Sequence, residues 1–173
     1  MQTRTFQIAD LDAGVAARLR AQPGAVVYIV DEHPGYPCRQ CRRDAEVGDE
    51  VILVSHDPFT GSSPYHSASP VFIHRTPCAD NVDPAPTPAQ MTRRLLSVRC
   101  FDEQEMMIDA AVIPGTEMRS VVERFFAAEA ADHIHVHYAE RGCWAGRVDR
   151  AISPSSTLPP SPIDAARRRI HSS

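Results

Sequence analysis

Lysine is absent from this chain, and all eighteen of its basic residues are arginines. Genomic base composition is the simpler explanation, although the planar guanidinium group is also suited to binding anions. The formal net charge is only −4, so the composition gives no sign of an electrostatic surface for nucleic acid. We therefore expect no nucleic-acid partner.

The chain also lacks a long hydrophobic run and a segment typical of export signals. Its longest apolar run, residues 25–30, is far shorter than the ~20 residues of a membrane-spanning helix. Near the N-terminus, Asp10 and Asp12 interrupt any apolar region that a signal peptide needs. We expect a cytoplasmic protein without a membrane partner, and the odd number of cysteines, five, argues against a disulfide framework.

Glycine is scarce and proline is abundant, with eight glycines against fifteen prolines. This balance predicts fixed turns and extended loops rather than long helices. The length of 173 residues and a hydrophobic share of 43% suit one domain with its own core. We place that domain at residues 1–150. The Pro- and Ser-rich composition of residues 151–173 predicts a disordered tail.

Apolar periodicity predicts eight short strands and two helices. Asp10 or Asp12 is expected to cap a helix that ends near Ala21, and Thr116 to cap a helix from Glu117 to about Ala131. The β-branched run at residues 25–30 is expected to be a buried strand. The strands are predicted at residues 6–8, 25–30, 50–55, 70–74, 95–101, 106–113, 133–138 and 143–148. This order predicts an α+β domain, mainly an antiparallel sheet with one or two packed helices.

Cysteine and histidine spacing indicates a zinc site. Cys38 and Cys41 form a Cys-x-x-Cys pair, and His74 and Cys78 follow as a second pair. Two thiolates two residues apart can hold one side of a tetrahedral zinc ion, and a second pair can complete it. The alternatives are that the cysteines are packing residues, or that Cys38 and Cys41 form a redox pair, which would need a helix beginning at Cys38.

Three histidines alternate along one predicted strand. His133, His135 and His137 would share one face of it and lie close enough to bind one metal ion. The simpler interpretation is a polar, solvent-facing side of the strand. Cys143 lies beyond the next turn, where it could act as a nucleophile beside His135 or His137, or be a buried structural cysteine.

Several ordered motifs resemble the bacterial family known as domain of unknown function 1203. They are the residues Pro-Cys-Arg at 37–39, the segment 44–53, Ser-Pro-Tyr at 63–65, the segment 70–74 and the segment 135–144. The resemblance covers residues 6–150. It implies a bacterial, single-domain, cytoplasmic protein and assigns no activity to it.

The leading functional hypothesis is a small binding or housekeeping domain with a polar pocket at strand ends and loops. Arg39 would anchor an anion or an anionic small molecule, and His74 or His135 would be the titratable group. The expected pocket residues are Arg39, Tyr65, His74, His135 and Cys143. The alternatives are a zinc-binding protein and an enzyme that uses Cys143 or Cys38. A homodimer is the default expectation for a soluble oligomer.

Overall fold

The computed structural model describes residues 6–9 and 11–151, in which the chain forms an α+β fold. The strands are β1 (Phe6–Ile8), β2 (Val26–Ile29), β3 (Glu50–His56), β4 (Ser69–His74), β5 (Leu95–Phe101), β6 (Met107–Pro114), β7 (His133–Tyr138) and β8 (Trp144–Arg150). The helices are α1 (Ala13–Arg20), α2 (Ala89–Thr92) and α3 (Met118–Phe126), with 3-10 turns at Ala79–Asn81 and Gly115–Glu117. The predicted fold class is thereby confirmed. The predicted disordered tail lies outside the described residues, apart from Ala151.

The strands form two antiparallel sheets. One has five strands in the order β1-β8-β7-β5-β6, and the other has three in the order β2-β3-β4. Two hairpins that the sequence predicted, β5–β6 and β7–β8, lie in the larger sheet. Pro70 lies on β4, at an edge of the smaller sheet, where a residue without a backbone N–H costs no ladder hydrogen bond.

Helix α3 packs its apolar stripe against the larger sheet and buries the main core. The stripe includes Val122 and Phe125, and the sheet contributes Val98, Ile134 and Val136. The helix is shorter than predicted, since it ends at Phe126 rather than near Ala131. Thr116 does not cap it, because a 3-10 turn comes first and Glu117 takes the N-cap position without a side-chain hydrogen bond.

Helix α1 packs against the smaller sheet and a second core. Asp12 caps it as predicted, since its Oδ1 accepts hydrogen bonds from the N–H groups of Gly14 and Val15. Leu19 is buried from the helix side. Cys38 and Cys41 belong to this second core and are almost completely buried.

The prediction that residues 25–30 form a buried strand was wrong about burial. The strand β2 is present, but all four of its residues are exposed, from Tyr28 at 38% to Ile29 at 58%. β-branched residues favour a strand, whereas burial requires a covering layer. β2 is one of the two edge strands of the smaller sheet. Of the predicted run, only Val30 is buried in a core, while the partly buried Ala25 packs against the second core.

The two sheets meet around Trp144, the first residue of β8. Its backbone N–H donates to Ser69 Oγ on β4 at 2.8 Å, and its side chain lies in the second core. This contact joins β4, which ends at the candidate residue His74, to β8, which pairs with the histidine strand β7. Among the helices at residues 6–9 and 11–151, none is long and apolar enough to cross a membrane.

Candidate metal centre

The loop between β2 and β3 places Cys38 and Cys41 in one tight turn. The N–H of Arg42 donates to the carbonyl of Cys38 at 3.1 Å. Arg42 has φ 59°, a left-handed conformation that reverses the chain after Cys41. The N–H of Arg39 donates to the carbonyl of Phe72 at 3.0 Å, which fixes the turn beside β4.

Two further ligands come from β4 and the segment that follows it. His74 is the last residue of β4, and Cys78 precedes the 3-10 turn Ala79–Asn81. The ligand atoms of Cys38, Cys41, His74 and Cys78 all lie within 4.8 Å of one another. The structure therefore brings together all four residues that the sequence predicted as a metal site, from two segments that are far apart along the chain.

The separations within this cysteine–histidine cluster suit a tetrahedral ion. The Sγ atoms of Cys38 and Cys78 are 3.7 Å apart, and Cys41 Sγ is 3.6 Å from His74 Nδ1. With Zn–S bonds of about 2.3 Å and Zn–N bonds of about 2.0 Å, tetrahedral ligand atoms lie roughly 3.5–3.8 Å apart. Both measured separations fall in that range. The donor set of three thiols and one imidazole is one that zinc prefers.

The side chains of the cluster perturb one another's protonation. The pKa of the Cys38 thiol is lowered because Cys41, and then Cys78, can hydrogen-bond to its sulfur. Hydrogen bonds with Cys38 and Cys41 raise the pKa of His74 to about 10, and hydrogen bonding with Cys38 raises the pKa of Cys78. Four ligand groups this close can lose their protons together only if a cation balances the thiolate charge.

A carboxylate orients the histidine of the cluster. His74 directs Nδ1 towards Cys41, and its Nε2 lies 3.3 Å from Asp49 Oδ2. A histidine that binds a metal through one ring nitrogen usually donates its other N–H to a carboxylate or carbonyl. The contact with Asp49 has that arrangement. The sequence analysis did not single out Asp49, whose only signal was its place in the motif at residues 44–53.

Polar groups also surround the sulfur atoms. The amide oxygen of Gln40 lies 3.4 Å from Cys78 Sγ and accepts a hydrogen bond from the guanidinium of Arg20. The amide of Gln90 on α2 donates to the carbonyl of Cys38 at 3.2 Å and accepts from the hydroxyl of Tyr138 at 2.8 Å. The cluster is thus held from α1, from α2 and from β7.

Comparison with known families agrees with the resemblance drawn from the motifs. The model of a family described as "Protein of unknown function (DUF1203)" matches residues 35–150. The chain belongs to this family. The matched region contains all four cluster residues and Asp49, whereas β1, α1 and β2 precede it. No curated protein and no solved structure matches the chain.

The five residues predicted to line one pocket lie in three surroundings. Arg39 is buried and donates from Nη2 to Cys143 Sγ at 3.1 Å. His74 belongs to the cysteine–histidine cluster, while Tyr65 and His135 each contact the ring of Phe101. Among the described residues, no hydrogen bond, ion pair or ring contact joins His74 to Arg39, Tyr65 or His135.

The surface clefts lie elsewhere. A cleft of about 470 Å³ lies between the turn that joins β5 to β6 and the segment after α3, and a smaller one of about 170 Å³ lies beside β1. None of the five predicted pocket residues lines either cleft.

The histidine strand differs from its simpler interpretation. His133, His135 and His137 share one face of β7 as predicted, but they are only 2%, 0% and 5% exposed. Phe59 of the β3–β4 loop packs over this face, with its ring centroid 4.8 Å from that of His135. The face is therefore interior rather than solvent-facing. In residues 6–9 and 11–151 the cysteine–histidine cluster is the one group that could hold a metal ion, so these histidines do not converge on one.

The requirement of the redox hypothesis is not met. Cys38 and Cys41 lie in a turn, and no helix begins at Cys38. All five cysteines are free. Cys38 therefore has no helix N-terminus that could lower the pKa of its thiol, as the first cysteine of a redox pair requires.

Proposed function

We propose that this chain is a zinc-binding protein that holds one ion through Cys38, Cys41, His74 and Cys78. The observation that carries the proposal is the convergence of these four ligand atoms within 4.8 Å, although the two pairs are far apart along the chain. Packing alone gives no reason to bring three thiols and an imidazole together. The donor set favours zinc over hard cations such as magnesium and calcium, which prefer oxygen ligands.

The site has the character of a structural rather than a catalytic zinc site. Four protein ligands complete a tetrahedron and leave no position for a water or a substrate. Cys38 and Cys41 are at most 1% exposed, so solvent would reach the ion poorly. The ion would join the turn after β2, the end of β4 and the segment that leads to α2. Its role would be to stabilise the second core, which is smaller than the main core.

The chemistry of the chain's own residues is consistent with this role. The three cysteines supply thiolates when their protons leave, and His74 supplies Nδ1. Asp49 would hold the other ring nitrogen of His74 in its protonated form. Because thiolates of this kind persist in reducing surroundings, the proposal agrees with the expected cytoplasmic location. That location, the bacterial source and the homodimer stay predictions.

Metal analysis of matched alanine variants tests the proposal. Zinc content would be measured by elemental mass spectrometry on the full chain, purified without chelator, beside Cys78→Ala and Cys100→Ala. Cys100 is the control, because it is a free cysteine buried in the other core. We expect about one zinc per chain in the wild type and in Cys100→Ala. We expect Cys78→Ala to lose its zinc to a chelator at least about ten times more readily.

Cobalt substitution provides an independent readout. Tetrahedral cobalt bound by thiolates absorbs strongly in the visible range, and this absorption should appear with the wild type and Cys100→Ala. Equal zinc content and chelator resistance in Cys78→Ala and Cys100→Ala would contradict the proposal. A wild-type chain that binds neither zinc nor cobalt after reduction would contradict it as well.

The ligand-binding and cysteine-enzyme hypotheses stay predictions. The contact between the Arg39 guanidinium and the Cys143 thiol joins two of the expected pocket residues. A fast-reacting thiol at Cys143 or Cys38 would favour the enzyme, and slow labelling of both near neutral pH would exclude it.

A further inference from the structure

The buried face of β7 places an imidazole between two guanidinium groups. In the antiparallel register, His135 lies opposite Arg99 on β5 and opposite Arg147 on β8. Side chains of directly opposed residues project from the same face of a sheet. This face therefore carries a cross-strand row of arginine, histidine and arginine, covered at its centre by Phe59.

His135 has no hydrogen-bond partner in this environment. It is 0% exposed, and neither of its ring nitrogens is within hydrogen-bond distance of a polar atom of the described residues. Nε2 of His133 and Nε1 of Trp144, whose rings lie 5.0 and 6.4 Å from that of His135, also lack partners. A buried polar group without a partner costs about 1–3 kcal/mol, so such groups generally indicate a bound water, ion or ligand.

One of the two arginines on this face has no ion-pair partner among the described residues. Arg147 pairs with Asp149 at 2.7 Å and with Asp132 at 3.8 Å. Arg99, in contrast, donates from Nε to Ser97 Oγ at 3.1 Å, and no ion pair of the described residues includes it. Arg39, which is 3% exposed, also bonds only to carbonyls and to the sulfur of Cys143.

Burial and the neighbouring arginines lower the pKa values of two histidines on this face. Burial lowers the pKa of His135 to about 2, with further contributions from His133, His137 and the arginines. Burial and the charges of Arg99 and Arg39 lower the pKa of His137 to about 4, despite its hydrogen bond to the Gly142 carbonyl. Both rings are therefore neutral near pH 7, and each can donate only one N–H.

We propose that this face binds a small oxyanion, a carboxylate or phosphate group, between the Arg99 guanidinium and the ring of His135. A guanidinium binds either group through two parallel hydrogen bonds. A neutral His135 supplies one further N–H donor. A bound anion would form an ion pair with Arg99 and accept the N–H of His135.

The approach to this oxyanion site is from the side of β6. Arg99 is partly exposed, and the residue opposite it on β6 is Ala110, which is exposed and small. A ligand could therefore reach the guanidinium without displacing Phe59. A cation is disfavoured at this place, since the Arg99 guanidinium is itself positive and the histidines form no metal-binding group with other described residues.

Titration with inorganic phosphate, and separately with acetate, tests the proposal. The zinc-loaded full chain would be titrated at pH 7 and constant ionic strength, with the ring nitrogens of His135 followed by NMR and affinity measured by calorimetry. We expect a saturable shift of the His135 resonances with at least one of the two anions. A stronger response to phosphate or to acetate would identify the preferred oxyanion group.

Two variants of equal charge separate a site from general electrostatic attraction. Arg99→Gln should weaken binding by about tenfold or more, because it removes a charged donor. Arg75→Gln removes an arginine that forms an exposed pair with Glu50, and it should bind like the wild type. Arg99→Lys should retain part of the affinity, since the charge stays and the planar fork is lost.

Two results would overturn the proposal. One is the absence of a saturable shift at His135 with both anions, and the other is equal affinity in Arg99→Gln and Arg75→Gln. Zinc content would be measured in every sample. Loss of the oxyanion response in fully zinc-loaded protein therefore counts against this site alone, and loss of zinc counts against the metal site alone.

Discussion

Asp49 shows how a single residue can act on a metal site without being a ligand. Its Oδ2 atom accepts the N–H of Glu46 at 2.9 Å and lies 3.3 Å from Nε2 of His74. It is thus fixed in its own turn and can set the tautomer and orientation of the imidazole. We assign Asp49 as a positioning residue of the proposed zinc site.

We expect Asp49→Asn to weaken zinc binding by about tenfold while the fold is retained, as is usual when the partner of a metal-binding histidine is changed. Competition with a fluorescent chelator would measure the affinity. Asp57→Asn is the control, because Asp57 also pairs with a histidine, His66, outside the cluster. The positioning role would be refuted if both variants bound zinc as tightly as the wild type.

At the scale of elements, sequence patterns predicted the eight strands and two of the three described helices, but not which of their faces are covered. β2 and β7 illustrate this in opposite directions. The apolar strand β2 is exposed at a sheet edge, and the histidine-bearing strand β7 is buried on both faces. β-branched and alternating residues reflect local backbone preference, whereas burial depends on layers that come from distant parts of the chain.

Gly115 begins the 3-10 turn between β6 and α3, and its backbone lies close to that of α2. A Cβ at this position would lie 1.9 Å from the carbonyl oxygen of Met91 and 2.9 Å from that of Arg94. Because backbone atoms cannot move aside cheaply, we expect Gly115→Ala to reduce the free energy of unfolding by about 3 kcal/mol. Urea denaturation would measure it.

Gly146→Ala is the matched control for that prediction. Its Cβ would also approach Met91, but at 3.1 Å from the end of the flexible side chain. We expect a cost of about 1 kcal/mol, near the lower limit for added volume in a core. Equal losses in the two variants would show that the backbone contact at Gly115 is not the cause.

At the scale of the whole molecule, the two cores are joined at the place where both candidate sites lie. Arg39, from the loop that carries Cys38 and Cys41, donates to the carbonyl of Trp144 at 2.8 Å. Trp144 in turn packs near His135 at the proposed oxyanion site. His135 and His137 are buried in their neutral form. The stability of the whole molecule is therefore sensitive to pH.

Acid should destabilise the protein through His135 and His137. Their pKa values are lowered to about 2 and about 4 in the folded state, against about 6.5 when unfolded. The unfolded chain therefore binds more protons below pH 6.5. Stability should fall as the pH decreases from there, until about pH 4 for His137 and about pH 2 for His135.

Urea denaturation between pH 7 and 5, without added phosphate, would measure this dependence in the wild type and in His135→Phe. The wild type should lose stability more steeply, by up to about 1.4 kcal/mol per pH unit for the removed histidine. Acid loss of zinc is common to both proteins and cancels in the comparison. Parallel pH profiles would show that His135 is not buried in its neutral form.

The sequence by itself determined the eight strands, helices α1 and α3, the α+β class, the family and the four residues of the cysteine–histidine cluster, whereas the short helix α2 was not predicted. Each of these follows from local information: apolar periodicity, capping residues such as Asp12, ordered motifs, and the spacing of soft ligands. The pair of Cys38 with Cys41 and the pair of His74 with Cys78 are each visible within a few residues of chain.

Only the tertiary structure decided the convergence of those pairs and the environments of the other candidates. The two pairs are far apart along the chain. The β-bridge between Cys38 and Phe72 on β4 brings them together. The role of Asp49, the position of Arg99 opposite His135 and the burial of His135 came from contacts between strands, sheets and loops. Such contacts depend on long-range packing, which leaves no periodic or spacing signal in a single sequence.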